Sequence, residues 1–192
     1  MSLSGLKPST RSLLQSVSPN PHTQNQMRLV ESSFCAAPDL IVPLLQKWED
    51  EEISALIIKI MTQQAGLQDA LQKMKATLQC PFVAWQTVTK PDDLLNLRGL
   101  NFDAVLTQTS HVVTQVWQEW QTLAQTMNMP LIYEVTSRAD WEVIKPLKPR
   151  FIFVEKNYEF LQEVPQKETW WIGPNTFEDP ARLKCRLTED KL

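Results

Sequence analysis

Four charged side chains lie at or near the carboxyl ends of predicted strands: Glu31, Lys59, Glu134 and Lys156. Catalytic groups of parallel α/β proteins collect at that edge of the sheet. A lysine beside a carboxylate in apolar surroundings can act as a general acid or as a Schiff-base nucleophile, and a glutamate there can act as a general base. If these four side chains converge, we expect a catalytic site for a lyase or an isomerase.

Three of the four residues also have a purely structural interpretation. Lys59 lies inside a continuous aliphatic run, where its stem can pack along apolar neighbours while its ammonium group reaches a rim or pairs with a carboxylate. Glu134 can simply be that carboxylate. Lys156 follows Glu155, and because neighbours on a strand point to opposite faces, only one of the two can face the inside of a barrel.

Tryptophan is the second notable feature of this chain. There are seven tryptophans, and two of them, Trp170 and Trp171, are adjacent near the C-terminus. On a strand these two side chains face opposite ways, so they cannot both lie in one core layer. Exposed aromatic side chains often anchor protein interfaces. Trp170 and Trp171 therefore indicate an interface with a protein partner or with a second copy of the chain, or else a site covered by one of the chain termini.

Composition argues against several other kinds of site. The four glycines lie far apart, whereas phosphate-binding loops and dinucleotide fingerprints need glycines close together, so no cofactor is predicted. The three cysteines include no Cys-x-x-Cys pair and the two histidines are isolated, so no metal site is predicted either. Widely spaced cysteines in odd number are typical of reduced thiols.

The distribution of charge and hydrophobicity predicts where the protein works. The net charge is −3, and the basic residues are scattered among acidic ones, so no nucleic-acid partner is expected. No apolar run approaches the roughly 18 residues of a membrane span, and the N-terminus lacks the hydrophobic core of a signal peptide. We therefore expect a cytoplasmic protein with no membrane partner.

The clearest structural signal lies between residues 101 and 135. Apolar residues recur there at intervals of three and four between positions 111 and 128, which is the spacing of one buried helix face. Apolar runs of strand length flank this helix at 102–107 and 130–135. A crossover helix of this length makes its two strands parallel, so the segment is predicted to be a βαβ unit.

Similar units are predicted along most of the chain. The other predicted strands are 27–34, 53–61, 81–88, 150–156 and 168–174, and the other predicted helices are 38–52, 65–79, 91–97, 138–147 and a fragment at 180–186. Strands that alternate with helices predict an α/β fold with a parallel sheet. Residues 1–26, rich in Ser, Pro, Asn and Gln, are predicted to be a disordered N-terminal arm, and 27–192 a single α/β domain.

Both a (β/α)₈-type barrel and an open doubly wound sheet fit six or seven such units, and length limits the first of them. A complete (β/α)₈ barrel usually needs about 200 residues or more, and the chain without its N-terminal arm is too short for eight complete units. A closed barrel would therefore have to lack an element or be completed by another chain. An open doubly wound sheet is the alternative.

The order and spacing of segments from residue 27 to about residue 183 resemble the indole-3-glycerol-phosphate synthase family. The segments that carry the resemblance are 60–63 (Ile-Met-Thr-Gln), 80–87 (Cys-Pro-Phe-Val-Ala-Trp-Gln-Thr), 102–107 (Phe-Asp-Ala-Val-Leu-Thr) and 131–136 (Leu-Ile-Tyr-Glu-Val-Thr). The resemblance favours the barrel, so we expect an incomplete or degenerate TIM-type barrel before an open doubly wound sheet. It also implies a small phosphorylated ligand. Phosphodiesterase domains of the EAL type share similar spacing.

Departures from both families bear on function. Glu31 and Glu134 match two active-site glutamates of the synthase family, but its general-acid lysine falls at Trp85 and its first-strand lysine at Ser33. Segments 155–158 and 171–174 replace the family's motifs after the sixth and seventh strands, including its phosphate grip. The paired metal-binding aspartates of the EAL type are replaced by residues 84–87.

Two functions follow as expectations. The first is a non-catalytic, degenerate barrel-like protein that binds a protein partner or associates with itself through Trp170 and Trp171. The alternative is a lyase or isomerase, similar to indole-3-glycerol-phosphate synthase, that acts on a small phosphorylated metabolite through Glu31, Lys59, Glu134 and Lys156.

Overall fold

The computed structural model describes residues 25–33, 38–61, 66–109, 112–156, 158–165, 170–174 and 185–189. Within these ranges the chain forms a closed barrel of eight parallel strands that pair in sequence order. The strands are β1 (Asn25–Glu31), β2 (Ala55–Lys59), β3 (Phe82–Trp85), β4 (Ala104–Gln108), β5 (Leu131–Glu134), β6 (Phe151–Phe153), β7 (Trp170–Pro174) and β8 (Cys185–Glu189). Strand β8 pairs with both β7 and β1, which closes the ring.

Helices connect the strands on the outside of the barrel. They are α1 (Pro38–Asp50), α2 (Leu67–Thr77), α3 (Pro91–Gly99), α4 (Thr114–Thr126) and α5 (Arg138–Ile144), with short 3₁₀ helices η1 (Lys145–Leu147) and η2 (Glu159–Glu163). None of the described helices is both long and apolar enough to span a bilayer.

The predicted α/β fold with a parallel, degenerate TIM-type barrel is confirmed. The ring of strands is closed, and it is the helical layer that is shortened. Between β6 and β7 the described residues contain only the five-residue helix η2 in place of a full crossover helix. The preceding connection uses the seven-residue helix α5 followed by η1. All eight strands can therefore be present in 192 residues because some of the connections are short.

Side chains alternate along the strands between two separate cores. The barrel interior is filled by Met27, Leu29, Ala55, Ile57, Val83, Ala104, Leu106, Ile132, Phe151, Phe153 and Ile172, with Trp85 packed against them. The residues between these, such as Val105 and Tyr133, point outwards and pack beneath the helices. This period of two is the one expected for strands whose two faces are both covered.

Several predicted strands end earlier in the structure, and two predicted assignments are wrong. Residues 185 and 186 belong to strand β8 and not to a helical fragment, because this segment pairs with strands on both sides. Strand β1 begins at Asn25, so residues 25 and 26 belong to the barrel and not to the predicted arm. The rest of that arm, residues 180–184 and residue 111, where the helix between β4 and β5 was predicted to begin, lie outside the described residues.

A buried ion pair joins α2 to the start of β3 and β4. The Lys75 Nζ atom lies 2.8 Å from Asp103 Oδ2, and the side chains are 13% and 6% exposed. The same carboxylate oxygen accepts a hydrogen bond of 2.9 Å from the backbone N–H of Phe82. Lys75 also donates to the backbone carbonyl of Asn101. Asp103 therefore holds one helix and two strands at the amino end of the barrel.

We expect Lys75→Met to lower the free energy of unfolding by about 3–5 kcal/mol, because it leaves the Asp103 carboxylate buried without its cation. Urea unfolding at neutral pH measures this loss. The matched control is Lys47→Met, which removes a lysine that is 54% exposed and lies 3.9 Å from Glu51. An exposed pair of this kind contributes at most about 1 kcal/mol. Equal losses in the two variants would contradict the assigned role of Asp103.

Candidate functional site

The structure places three of the four predicted residues at the carboxyl ends of their strands. Glu31 ends β1 and pairs in register with Lys59, which ends β2. Glu134 ends β5, on the other side of β3 and β4. Lys156 lies beyond the end of β6, is exposed, and places its Nζ atom 5.3 Å from the centre of the Tyr158 ring. Glu31 is also exposed.

Trp85 lies at the centre of this end of the barrel. Its indole N–H donates a hydrogen bond of 3.3 Å to Glu134 Oε2. The Lys59 ammonium group lies 5.1 Å from the centre of the indole ring, within the range of a cation–π contact. On its inner side the ring packs against Phe153, with 5.1 Å between the ring centres. Lys59 and Glu134 therefore both contact the same indole group.

Trp85 was not among the residues predicted to form the site, although one signal for it was available. Val83 and Trp85 are two residues apart on β3, so they share the inward face. An inward tryptophan at the last position of a strand must lie at the mouth of the barrel. Its role as a link between Lys59 and Glu134 depends on the register of β2 and β5, which local sequence does not show.

Glu134 has the environment expected of a perturbed carboxyl group. The residue is 5% exposed, and this burial raises the pKa of its carboxyl group. Hydrogen bonds from Trp85 and Gln108 oppose the rise, nearby Glu155 adds to it, and the attraction of Lys59 lowers the pKa least. Carboxyl groups with raised pKa values occur at active sites and in buried structural networks alike.

A second acidic group lies close to this end of the barrel. Asp140 accepts hydrogen bonds from the Thr136 N–H at 3.0 Å, the Thr136 hydroxyl at 2.9 Å and the Ser137 hydroxyl at 2.9 Å. Burial raises the pKa of Asp140, but these hydrogen bonds outweigh it, and the net shift is downward. The Ser137 side chain in turn accepts from the Asp140 N–H, which caps helix α5. Asp140 is thus committed to the start of that helix.

Exposed apolar side chains also occur at the carboxyl end. Met61, two residues past β2, is 57% exposed, and Val113, which caps α4, is 66% exposed. Trp170 and Trp171 form the first two positions of β7, in register with Phe151 and Ile152. The side chains of these two tryptophans lie outside what the structure describes.

Metal chemistry finds no support in the described part of the chain. No group of three or more His, Cys, Asp or Glu side chains there has an arrangement that could hold a metal ion. The Cys80 thiol is buried, and burial raises its pKa to about 12, so at neutral pH it is a thiol and not a thiolate.

Comparisons with known proteins identify the architecture only. No protein-family model matches the chain, and no curated protein matches it either. A similar solved structure is described as a cube-shaped, highly porous protein cage designed by fusing symmetric oligomeric domains. The likeness has a TM-score of 0.63 at 12% identity, and it covers 87% of this chain and 63% of that chain. At this identity the likeness concerns the fold, and no family match supports indole-3-glycerol-phosphate synthase in particular.

We expect the stability of the wild type to fall relative to Glu134→Gln as the pH rises from about 4.3, the ordinary pKa of a glutamate, through the raised pKa of folded Glu134. Over this range the folded protein retains a proton that the unfolded chain has already lost, so a higher pH favours unfolding. Urea unfolding of both proteins across this pH range measures the difference.

The control for this experiment is Glu119→Gln, because Glu119 is exposed on helix α4. Its difference from the wild type should change little with pH. If the difference in stability between Glu134→Gln and the wild type is equally independent of pH, the buried position assigned to the Glu134 carboxyl group is wrong.

Proposed function

We propose that this protein acts by binding, either to a second copy of itself or to a protein partner, and that the carboxyl end of its barrel is not catalytic. The observation that carries the proposal is the position of Trp85 between Lys59 and Glu134. A reacting lysine and glutamate need access to a substrate atom between them, and the indole contacts both.

Packing inside the barrel supports this proposal. The interior of an eight-stranded barrel is just wide enough to be filled by side chains. Trp85 and Phe153 contact each other at the carboxyl end of that interior, above a column of aliphatic residues. A substrate that reached Glu134 would have to displace the indole and break its hydrogen bond. By resemblance, Trp85 also occupies the position of the synthase family's general-acid lysine.

The surface around the same end offers apolar contacts for binding. Met61 and Val113 expose more than half of their accessible area. Exposed apolar side chains provide contact area for a partner, and Trp170 and Trp171 are the candidate aromatic anchors. The similar cage was built from fused symmetric oligomeric domains, so barrels of this kind are compatible with self-assembly.

We expect size-exclusion chromatography with light scattering to show a dimer or a larger assembly of the wild type. Trp171→Ala and the double variant Met61→Lys, Val113→Lys should dissociate it, because they remove apolar contact area and, in the second case, add charge. The matched control is Leu95→Lys, which makes the same kind of change at a side chain that is 50% exposed in helix α3. This control should leave the assembly intact.

A monomer in every sample would overturn self-association, and the proposed function would then require a different protein as partner. An assembly that Leu95→Lys dissociates while the other variants do not would place the interface on the helical layer and contradict the proposed location.

A second candidate function is that of a lyase or isomerase acting on a small phosphorylated metabolite. The observation in its favour is the buried Glu134 carboxyl group with its raised pKa, at the same end as Lys59 and Glu31. If this function is correct, a phosphorylated metabolite at 100 times its dissociation constant should stabilise the protein by about 2.7 kcal/mol.

A thermal-shift screen of phosphorylated metabolites measures that gain. A hit that Glu134→Gln abolishes, and that turns over in the presence of the wild type, would replace the binding proposal. The absence of any shift, or a shift that Glu134→Gln leaves unchanged, would count against this enzyme.

A further inference from the structure

Met61 differs from the other described methionines in its exposure. The sequence contains six methionines. Of those in the part of the chain that the structure describes, Met27, Met74 and Met129 are no more than 1% exposed, and Met127 is half-buried. Met61 is 57% exposed. Among these side chains it is therefore the one that a small reagent in solution reaches most readily.

The backbone at Met61 is held in place by both neighbouring strands. The Met61 N–H donates a hydrogen bond of 3.3 Å to the hydroxyl of Ser32, a fully buried residue just past β1. The preceding Ile60 N–H donates a hydrogen bond of 3.0 Å to the carbonyl of Trp85 in β3. The exposed Met61 side chain is thus presented from an anchored position on the rim of the barrel.

Met61 lies on the surface to which binding is assigned above. Lys59, two residues earlier, ends β2 and contacts the Trp85 ring at the centre of the carboxyl end. Val113, the other strongly exposed apolar side chain at this end, is 66% exposed. Methionine is enriched at protein interfaces, where its flexible apolar side chain adapts to the partner. A partner that covers the carboxyl end would bury Met61 and use its apolar contact area.

The thioether of methionine is converted by peroxides into a sulfoxide. One oxygen atom passes from hydrogen peroxide to the sulfur: the O–O bond breaks, an S–O bond forms, the sulfur is oxidised, and the peroxide is reduced and leaves as water. The product is polar, so its burial against apolar groups without a hydrogen-bond donor is unfavourable. Methionine sulfoxide reductases restore the thioether, so the change is reversible.

We propose that Met61 is a site of reversible oxidation by hydrogen peroxide, and that the sulfoxide weakens the binding of a second copy of this chain at the carboxyl end. The site follows from the exposure of Met61, while the effect on binding rests on the proposed function in its self-association form. Assembly covers Met61, so oxidation takes place in the dissociated chain and then opposes its reassociation.

Peptide mass spectrometry after timed exposure of the full chain to hydrogen peroxide at neutral pH identifies the site. In dilute, dissociated protein we expect Met61 to gain an oxygen atom at least about tenfold faster than Met27, Met74 and Met129, because oxidation requires access to the sulfur. A higher protein concentration, at which the chain assembles, should slow the oxidation of Met61. Oxidation of Met61 no faster than that of the buried methionines would overturn the site.

Light scattering over a series of concentrations measures the effect of oxidation on assembly. We expect the dissociation constant of the wild type to rise by at least about tenfold after oxidation, and the two methionine sulfoxide reductases to reverse the rise. Met61→Leu removes the sulfur and keeps an apolar side chain. Whatever the dissociation constant of this variant is, peroxide should leave it unchanged. The matched control is Met127→Leu, which retains Met61 and should respond to peroxide as the wild type does.

Both variants keep all three cysteines, so the comparison between them separates methionine oxidation from cysteine oxidation. Melting temperatures before and after peroxide treatment establish that a loss of assembly is not a loss of folding.

The outcomes distinguish the site from its effect. Selective oxidation of Met61, with an assembly that peroxide weakens in the wild type and not in Met61→Leu, supports both. A wild-type assembly that survives full oxidation of Met61, or a Met61→Leu assembly that peroxide dissociates, would overturn the effect on binding. A wild type that is monomeric at every concentration would overturn self-association and this effect together, while the relative oxidation rates still decide the site.

Discussion

The inward and outward alternation of side chains along eight short strands is the constraint on which the rest of this structure depends. A closed ring of eight strands has a fixed interior width, so every inward residue must share one narrow column. Lys59 and Glu134 have the inward register at the carboxyl end of that column. A charged group in that position needs a partner, and the Trp85 indole contacts both Lys59 and Glu134. The indole therefore fills space and accommodates two polar groups at once.

The shortness of the chain makes the two ends of the barrel different. At the carboxyl end, aromatic rings fill the interior and the exposed groups belong to loops and helix starts. At the amino end, helix α5 stops after seven residues and η1 leads directly into β6, next to a cavity beside α4. The end at which this fold usually carries chemistry is thus filled by aromatic side chains.

Local patterns predicted most of the fold, while the site depended on contacts between distant strands. The βαβ unit around α4 was predictable because its apolar residues repeat with a helical period between two apolar runs. Strand β8 was missed because Cys185-Arg186-Leu187-Thr188-Glu189 contains few apolar residues and is a strand through its pairing with β1 and β7. The neighbouring positions of Glu31 and Lys59 follow from strand register. The contact of Trp85 with Glu134 joins residues 49 positions apart, beyond the reach of any local pattern.

The ion pair between Lys75 and Asp103 has a consequence for how the barrel opens. If helix α2 moved away alone, it would remove Lys75 from a carboxylate that also accepts the Phe82 N–H, and that carboxylate would remain between two strands. Detachment of helix α2 alone would then carry almost the same electrostatic penalty as separation of strands β3 and β4. Helix α2, β3 and β4 consequently form one cooperative unit, in which backbone amides of the helix exchange with solvent about as slowly as those of the strands beneath it.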